Sequence, residues 1–144
     1  MARNIIGVIV EYVAMAAFIF ISFTILYLIL GTEGSFQPGS YEVSTAWTIL
    51  SIGLGFIAAI VGGYFCSTIA KNKKAAMWLA GIVLVLGLLL AIPRFSDESA
   101  NLVREGEVSN MEAMEKAVNP GISLILNPVL GALGVMAGSK MKGY

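Results

Sequence analysis

Glu11 is the one ionisable side chain set inside an apolar run, Ile5 to Leu30. A carboxyl group in hydrocarbon is costly, so an intramembrane acid is by default a candidate for proton or cation passage. On a helix it shares a face with Met15 and Ser22. Depth separates two readings. Counted from Tyr12, the run still has 19 residues, enough to span a bilayer. Glu11 then sits at the interface and pairs with Lys71, Lys73, Lys74, Lys140 or Lys142. Placed deeper, and facing a bundle interior, it serves an ion path.

Asn127-Pro128 is the second such feature, about two turns into the last apolar run. Proline has no N–H and crowds the preceding turn, so a kink is the least it causes. A carbonyl freed near Leu124, beside the Asn127 amide, is how broken helices in transporters line polar sites. The competing reading is a packing kink, common in membrane helices.

Other chemistry is excluded or weak. The chain has no histidine, which removes imidazole metal sites and histidine acid–base catalysis. Its single cysteine, Cys66, permits neither an internal disulfide nor a CxxC site, and within an apolar run it reads as an inert core thiol. Met111-x-x-Met114 and the acids around it have the donor types for soft or hard cations. The acids lack calcium-loop spacing, and the methionines fit an apolar helix face. No P-loop, GxSxG or HExxH is present. The chain therefore reads as a non-enzyme without metal or cofactor. Its few basic residues look like orientation signals and do not suggest nucleic-acid binding.

The elements that must carry these residues are membrane spans. Of 144 residues, 58% are hydrophobic and 12% charged, half the roughly 25% usual in soluble domains. The expected class is an all-α integral membrane bundle of four transmembrane helices with a short helical extracytoplasmic cap, in one domain. Spans are expected at about 5–30, 45–70, 75–92 and 120–139. Outer loops cover 31–44 and 93–119, and an inner turn 71–74. The first run is too long for a signal-peptide core and no A-x-A cleavage site follows it. Tyr41 and Trp47 fit an interfacial aromatic belt. Within 94–119, Gly106 is expected to divide two short helices. Ser109 and Glu112 have capping-box spacing, and Val108, Met111, Met114 and Val118 share a face.

Small residues mark two spans. Ser51, Gly55, Ala59, Gly63 and Ser67 fall four apart, and Gly131, Gly134 and Gly138 cluster on the fourth span. Such faces let helices approach closely where no hydrophobic force drives them together. They serve packing within the bundle or an interface with a partner or second copy. Charge sets the orientation. With Lys71, Lys73 and Lys74 in the cytoplasm, Arg3, Lys140 and Lys142 join them, six of the nine basic residues. Eight of the nine acids then lie outside. Positive-inside sorting predicts four spans with both termini cytoplasmic.

GGYFCSTIA-KNKK running into the third span, and NPVLGALGVMAGSK in the fourth, resemble small bacterial inner-membrane proteins of four spans. The resemblance implies inner-membrane location and topology and says nothing of activity. The span count is similar to that of tetraspanins and claudin-like proteins, but the outer-loop cysteines of those families are missing.

The leading expectation is an accessory subunit that assembles with other membrane proteins or with itself through the small-residue faces, with lipid around it. The alternative, from another class, is a small transporter or ion or proton channel using Glu11, Asn127 and Pro128.

Overall fold

The computed structural model describes residues 2–142. Four long helices are apolar enough to cross a membrane: α1 Ala2–Ser35, α2 Thr45–Ala70, α3 Lys73–Ala91 and, after the short α4 Asn110–Lys116, α5 Gly121–Met141. The molecule is thus a four-span helical bundle, since only a structure that satisfies its own backbone groups survives in lipid. At 1.5 Å per residue, the 21 residues of α5 cover a hydrocarbon core of about 30 Å.

Local chemistry sets the ends. Gly31 takes φ 66°, a left-handed backbone that favours glycine, and separates the main rod of α1 from a last turn through Ser35. Ser44 caps α2, accepting from Trp47 N–H at 3.1 Å, and Asn72 caps α3, accepting from Ala75 N–H at 3.2 Å. Lys71, left-handed at φ 56°, turns the chain between them. The helix α3 begins at Lys73, two residues before the expected 75.

α2 and α5 form the centre and run parallel, with α1 packed on α2 and α3 packed on α5, both antiparallel to them. α1 and α5 scarcely touch. The loops 36–44 and 92–120 fold together over one end of the bundle, here named the cap end. Two isolated bridges join them, Ser40 with Val103 and Glu42 with Val118, and a third, Phe36 with Val43, closes the first loop on itself. The other end, carrying Arg3, the lysine turn, Lys140 and Lys142, is the basic end.

The cap departs from expectation in four ways. Only 110–116 is α-helical; the part before Gly106 is two tight 3-10 turns and extended chain. Ser109 caps α4 as half of a capping box, accepting from Glu112 N–H at 3.2 Å, but the Glu112 carboxylate turns elsewhere. Met111 is 68% exposed, so Ala113, not Met111, faces the molecule. Tyr41 is buried in the cap and is not a belt residue, while Trp47 packs edge-on to Phe23 and Tyr27.

Candidate functional site

The cap is clamped by one cation. Arg104 is 4% exposed and donates to the carbonyls of Ser40 (3.1 Å), Gln37 (3.3 Å) and Gly106 (2.8 Å), and to Glu33 (3.1 Å). A guanidinium with five fixed donors suits such a ring of acceptors. Tyr27 Oη donates to the Val108 carbonyl at 2.6 Å and shares a hydrogen bond with Thr32 at 2.8 Å, which ties α1 to the second loop. Tyr41 donates to Glu112 at 2.8 Å, and Lys116 meets the same carboxylate at 3.0 Å. Lys116 and Tyr41 together hold the Glu112 carboxyl below its ordinary value. The same contact raises both the Lys116 ammonium and the Tyr41 phenol.

Beneath this cap, the gap left between α1 and α5 is a cavity. One lobe of about 410 Å³ is lined by Met15, Ala16, Ile19, Gly87, Leu124, Asn127 and Pro128 among others. A second lobe of about 520 Å³ reaches Trp47, Ser51, Ser35 and Asn110. Ala16, Ile19, Met114, Ala117, Asn119 and Asn127 line both, so the lobes adjoin. Sites for small molecules are typically apolar clefts of roughly 300–1,000 Å³ with a few converging polar groups. Here those groups are uncharged apart from Arg94, which also lines the first lobe and is paired with Asp97 at 3.1 Å. Ser35 Oγ is buried and has no hydrogen-bond partner, and among the described residues the Asn119 and Asn127 amides have none either. Pro128 is buried against Gly87 of α3 and supplies no N–H to the Leu124 carbonyl one turn back. An acceptor and two amides therefore meet in an otherwise apolar space.

The candidates from sequence separate on this map. Asn127 and Pro128 belong to the cavity; Glu11 does not. The antiparallel contact of α1 with α2 sets Gly7 on Ala70 and Met15 on Gly62, so Glu11 stands across from Cys66. It is 5% exposed and, among the described residues, has no ion pair with any lysine, contrary to the interfacial pairing. The register points its side chain at α2, away from the basic rim. Met15 occupies the turn between Glu11 and the cavity.

The small residues are also divided. A methyl at Gly63 would run into the Val135 carbonyl, one at Gly138 into the Ile60 carbonyl, and one at Gly134 would come 2.7 Å from Ala59 Cβ. These three positions, with Ala59, are where α2 and α5 come into closest contact. Gly131 faces Val83 of α3. Ser51 lines the cavity and Gly55 meets nothing within 4 Å. Lys71, Lys73, Lys74, Lys140 and Lys142 all lie at the basic end.

Sequence reasoning passes over Ser35, Asn119 and Arg104. Arg104 lies in a charged loop where an exposed cation is the ordinary reading, and three of its four partners are 64 to 71 residues away in the chain.

Fold and site together define a multi-span helical membrane protein with a lateral, largely apolar cavity under one end. Comparison with known protein families, curated proteins and solved structures returns no match.

Proposed function

We propose that this is a non-enzymatic membrane protein that takes an uncharged, hydrogen-bonding molecule from the bilayer into the cap-end cavity, as a small transporter does. The observation that carries this reading is the meeting of Ser35 Oγ, the Asn119 and Asn127 amides and the proline-freed Leu124 carbonyl in one apolar cavity. Ser35 Oγ, buried without a partner, is costly to leave unpaired, and a ligand carrying both a donor and an acceptor satisfies it together with the more open Asn119 and Asn127 amides. The basic end is assigned to the cytoplasm and the cap to the outside of a bacterial inner membrane, on the positive-inside bias.

Trp47, which lines the cavity, reports on entry. In Trp78→Phe protein, a nitroxide-labelled monoacylglycerol is expected to quench Trp47 saturably, and Asn127→Leu to remove the saturable part. Quenching that rises linearly and equally in both proteins sinks the reading.

A second reading, an accessory subunit that packs against other membrane proteins or a second copy, draws on different residues from those expected. Gly53 and Gly81 are exposed, and a side chain added at either meets nothing within 4 Å. They leave small notches on the outside of α2 and α3, which close helix contacts use. Gly81→Leu should lower the mass of the detergent-solubilised particle. An unchanged monomeric mass before and after removes this reading.

A further inference from the structure

The groove between α1 and α3 at the basic end lies on the opposite side of the bilayer from the cavity and is built differently. Its walls are Ile5, Val8 and Ile9 of α1 and Ile82 of α3, enclosing about 630 Å³, and its rim carries Asn4, Lys74 and Trp78. We propose that this groove binds one anionic phospholipid from the leaflet at the basic end, with an acyl chain along the isoleucines and the phosphate at Asn4, Lys74 and Trp78.

The rim offers donors only. The Asn72 Oδ1 accepts from Ala75 N–H at 3.2 Å, which fixes its amide orientation. Its Nδ2 therefore faces Asn4 and donates to Asn4 Oδ1 at 2.6 Å and to the Ala70 carbonyl at 3.2 Å. The acceptor of Asn4 is thereby occupied, and Asn4 Nδ2 is left without a partner. Among the described residues the Lys74 ammonium forms no ion pair, and the Trp78 indole N–H, on a side chain 70% exposed, has no acceptor. Lys74 also lies in the first turn of α3, where the helix dipole adds positive potential.

Charge around the rim has one sign. Arg3, Lys71, Lys73, Lys140 and Lys142 share this end, and Glu11, the only acid in this half of the chain's spans, faces α2. An anion matches such a rim, and apolar walls below it match a hydrocarbon chain. A free phosphate leaves the isoleucines uncovered, a lipid without phosphate leaves two neutral donors and a cation unmatched, and a zwitterionic lipid brings a cation of its own to a rim already positive. Basic pockets between membrane helices are established headgroup sites in other proteins. The Asn4–Asn72 hydrogen bond pins the start of α1 to the turn before α3, so both walls are held in place before the lipid arrives.

Native mass spectrometry of the protein from bilayers of equal phosphatidylglycerol and phosphatidylcholine tests this. Wild type is expected to retain one phosphatidylglycerol in preference. Lys74→Ala should weaken retention on the order of fivefold, the effect of one lysine near an anionic headgroup. Lys74→Arg should keep it, Ile9→Trp should exclude the lipid while leaving every charge in place, and Lys140→Ala, outside the groove, should not matter. Equal retention of the two lipids by wild type overturns the proposal. So does a loss in Lys140→Ala as large as in Lys74→Ala, since the effect is then charge without a site. Protection by glycerol phosphate equal to that by the lipid overturns it as well, because the acyl chain is then idle.

Discussion

The two ends of this bundle are held by different means. At the cap end, side chains reach across loops: Arg104 gathers three carbonyls and a carboxylate, Tyr27 bridges α1 to the second loop, and Glu112 joins Tyr41 to Lys116. Toward the basic end, glycine lets backbones meet, and a Cα–H of Gly63 or Gly138 points at a carbonyl of the facing helix. The Asn4–Asn72 pair is the cross-chain side-chain hydrogen bond seen there. Where water is near, loops carry polar groups that need partners. In hydrocarbon, close van der Waals contact takes over because apolar burial no longer distinguishes helix from lipid. The difference explains where the cavity lies. Close packing seals the α2–α5 and α1–α2 seams in the basic half and leaves only the outward groove between α1 and α3, whereas the cap ties α1 to the other elements through its roof and leaves α1 and α5 apart below it.

The sharpest way to break the comparison is along one stripe of α2. Gly63→Leu forces a side chain into the Val135 backbone, which cannot move aside without displacing α5. Overpacking of this kind costs about 3 kcal/mol or more. The expected outcome is loss of the folded, monodisperse protein in mild detergent. Gly55→Leu, two turns away on the same face, has open space and should leave the protein folded. If the two variants behave alike, the basic half is not held by the α2–α5 contact.

The corresponding change at the cap is Arg104→Met. It leaves the Ser40, Gln37 and Gly106 carbonyls without their shared donor, a loss of roughly 2–3 kcal/mol when buried acceptors go unpaired. Here the spans should persist, and the loosening should be confined to the cap. Hydrogen exchange is the measure: faster exchange at Val43 and Val118, whose amides bond across the two loops, with α2 and α5 unchanged. Equal acceleration throughout would show that the cap and the bundle are one cooperative unit.

How legible each end was follows from the same contrast. Spans are local patterns. An uncharged run of bilayer length has few alternatives, so the second span, expected at 45–70, is Thr45–Ala70. Small residues at a spacing of four are also local, and Gly63, Gly134 and Gly138 do lie in a close helix contact within the chain. Which helix faces them is not local. Neither is the burial of Arg104, Tyr41 or Ser35, because each depends on loops that meet only after folding. The cavity was half visible. Asn127-Pro128 announced a broken helix, but Asn119 looked like loop, and Ser35 sits in a turn of α1 that exists because Gly31 breaks the rod first. Glu11 misled in the opposite sense: a span counted from Tyr12 set it at the interface beside the lysines, and the register of α1 on α2 turns it away from them.

The smallest expected effect is a pH dependence limited to the cap. The Glu112 carboxyl is held below its ordinary 4.5 chiefly by the hydrogen bond from Lys116, then by that from Tyr41. A depressed folded value means stability that is full above the unfolded value and is lost as pH falls through the folded one. Lys116 and Tyr41 are both raised, from ordinary values of 10.5 and 10.0, first of all by the Glu112 hydrogen bond. Their contributions are present below those values and fade as pH rises through the higher folded ones. Protection factors of the α4 amides, which correct for the intrinsic pH dependence of exchange, should therefore be high and flat between about pH 5 and pH 9 and fall on either side. Glu112→Gln should abolish the acid limb and weaken the alkaline one, since it removes the charge that raised Lys116. The Glu112–Lys116 pair is open to water and salt, so the change should be slight beside that of Arg104→Met. The Glu11 carboxyl has no contact with the cap. A pH response of α4 that survives in Glu112→Gln would therefore move the titrating group into the bundle and end the separation of the two halves.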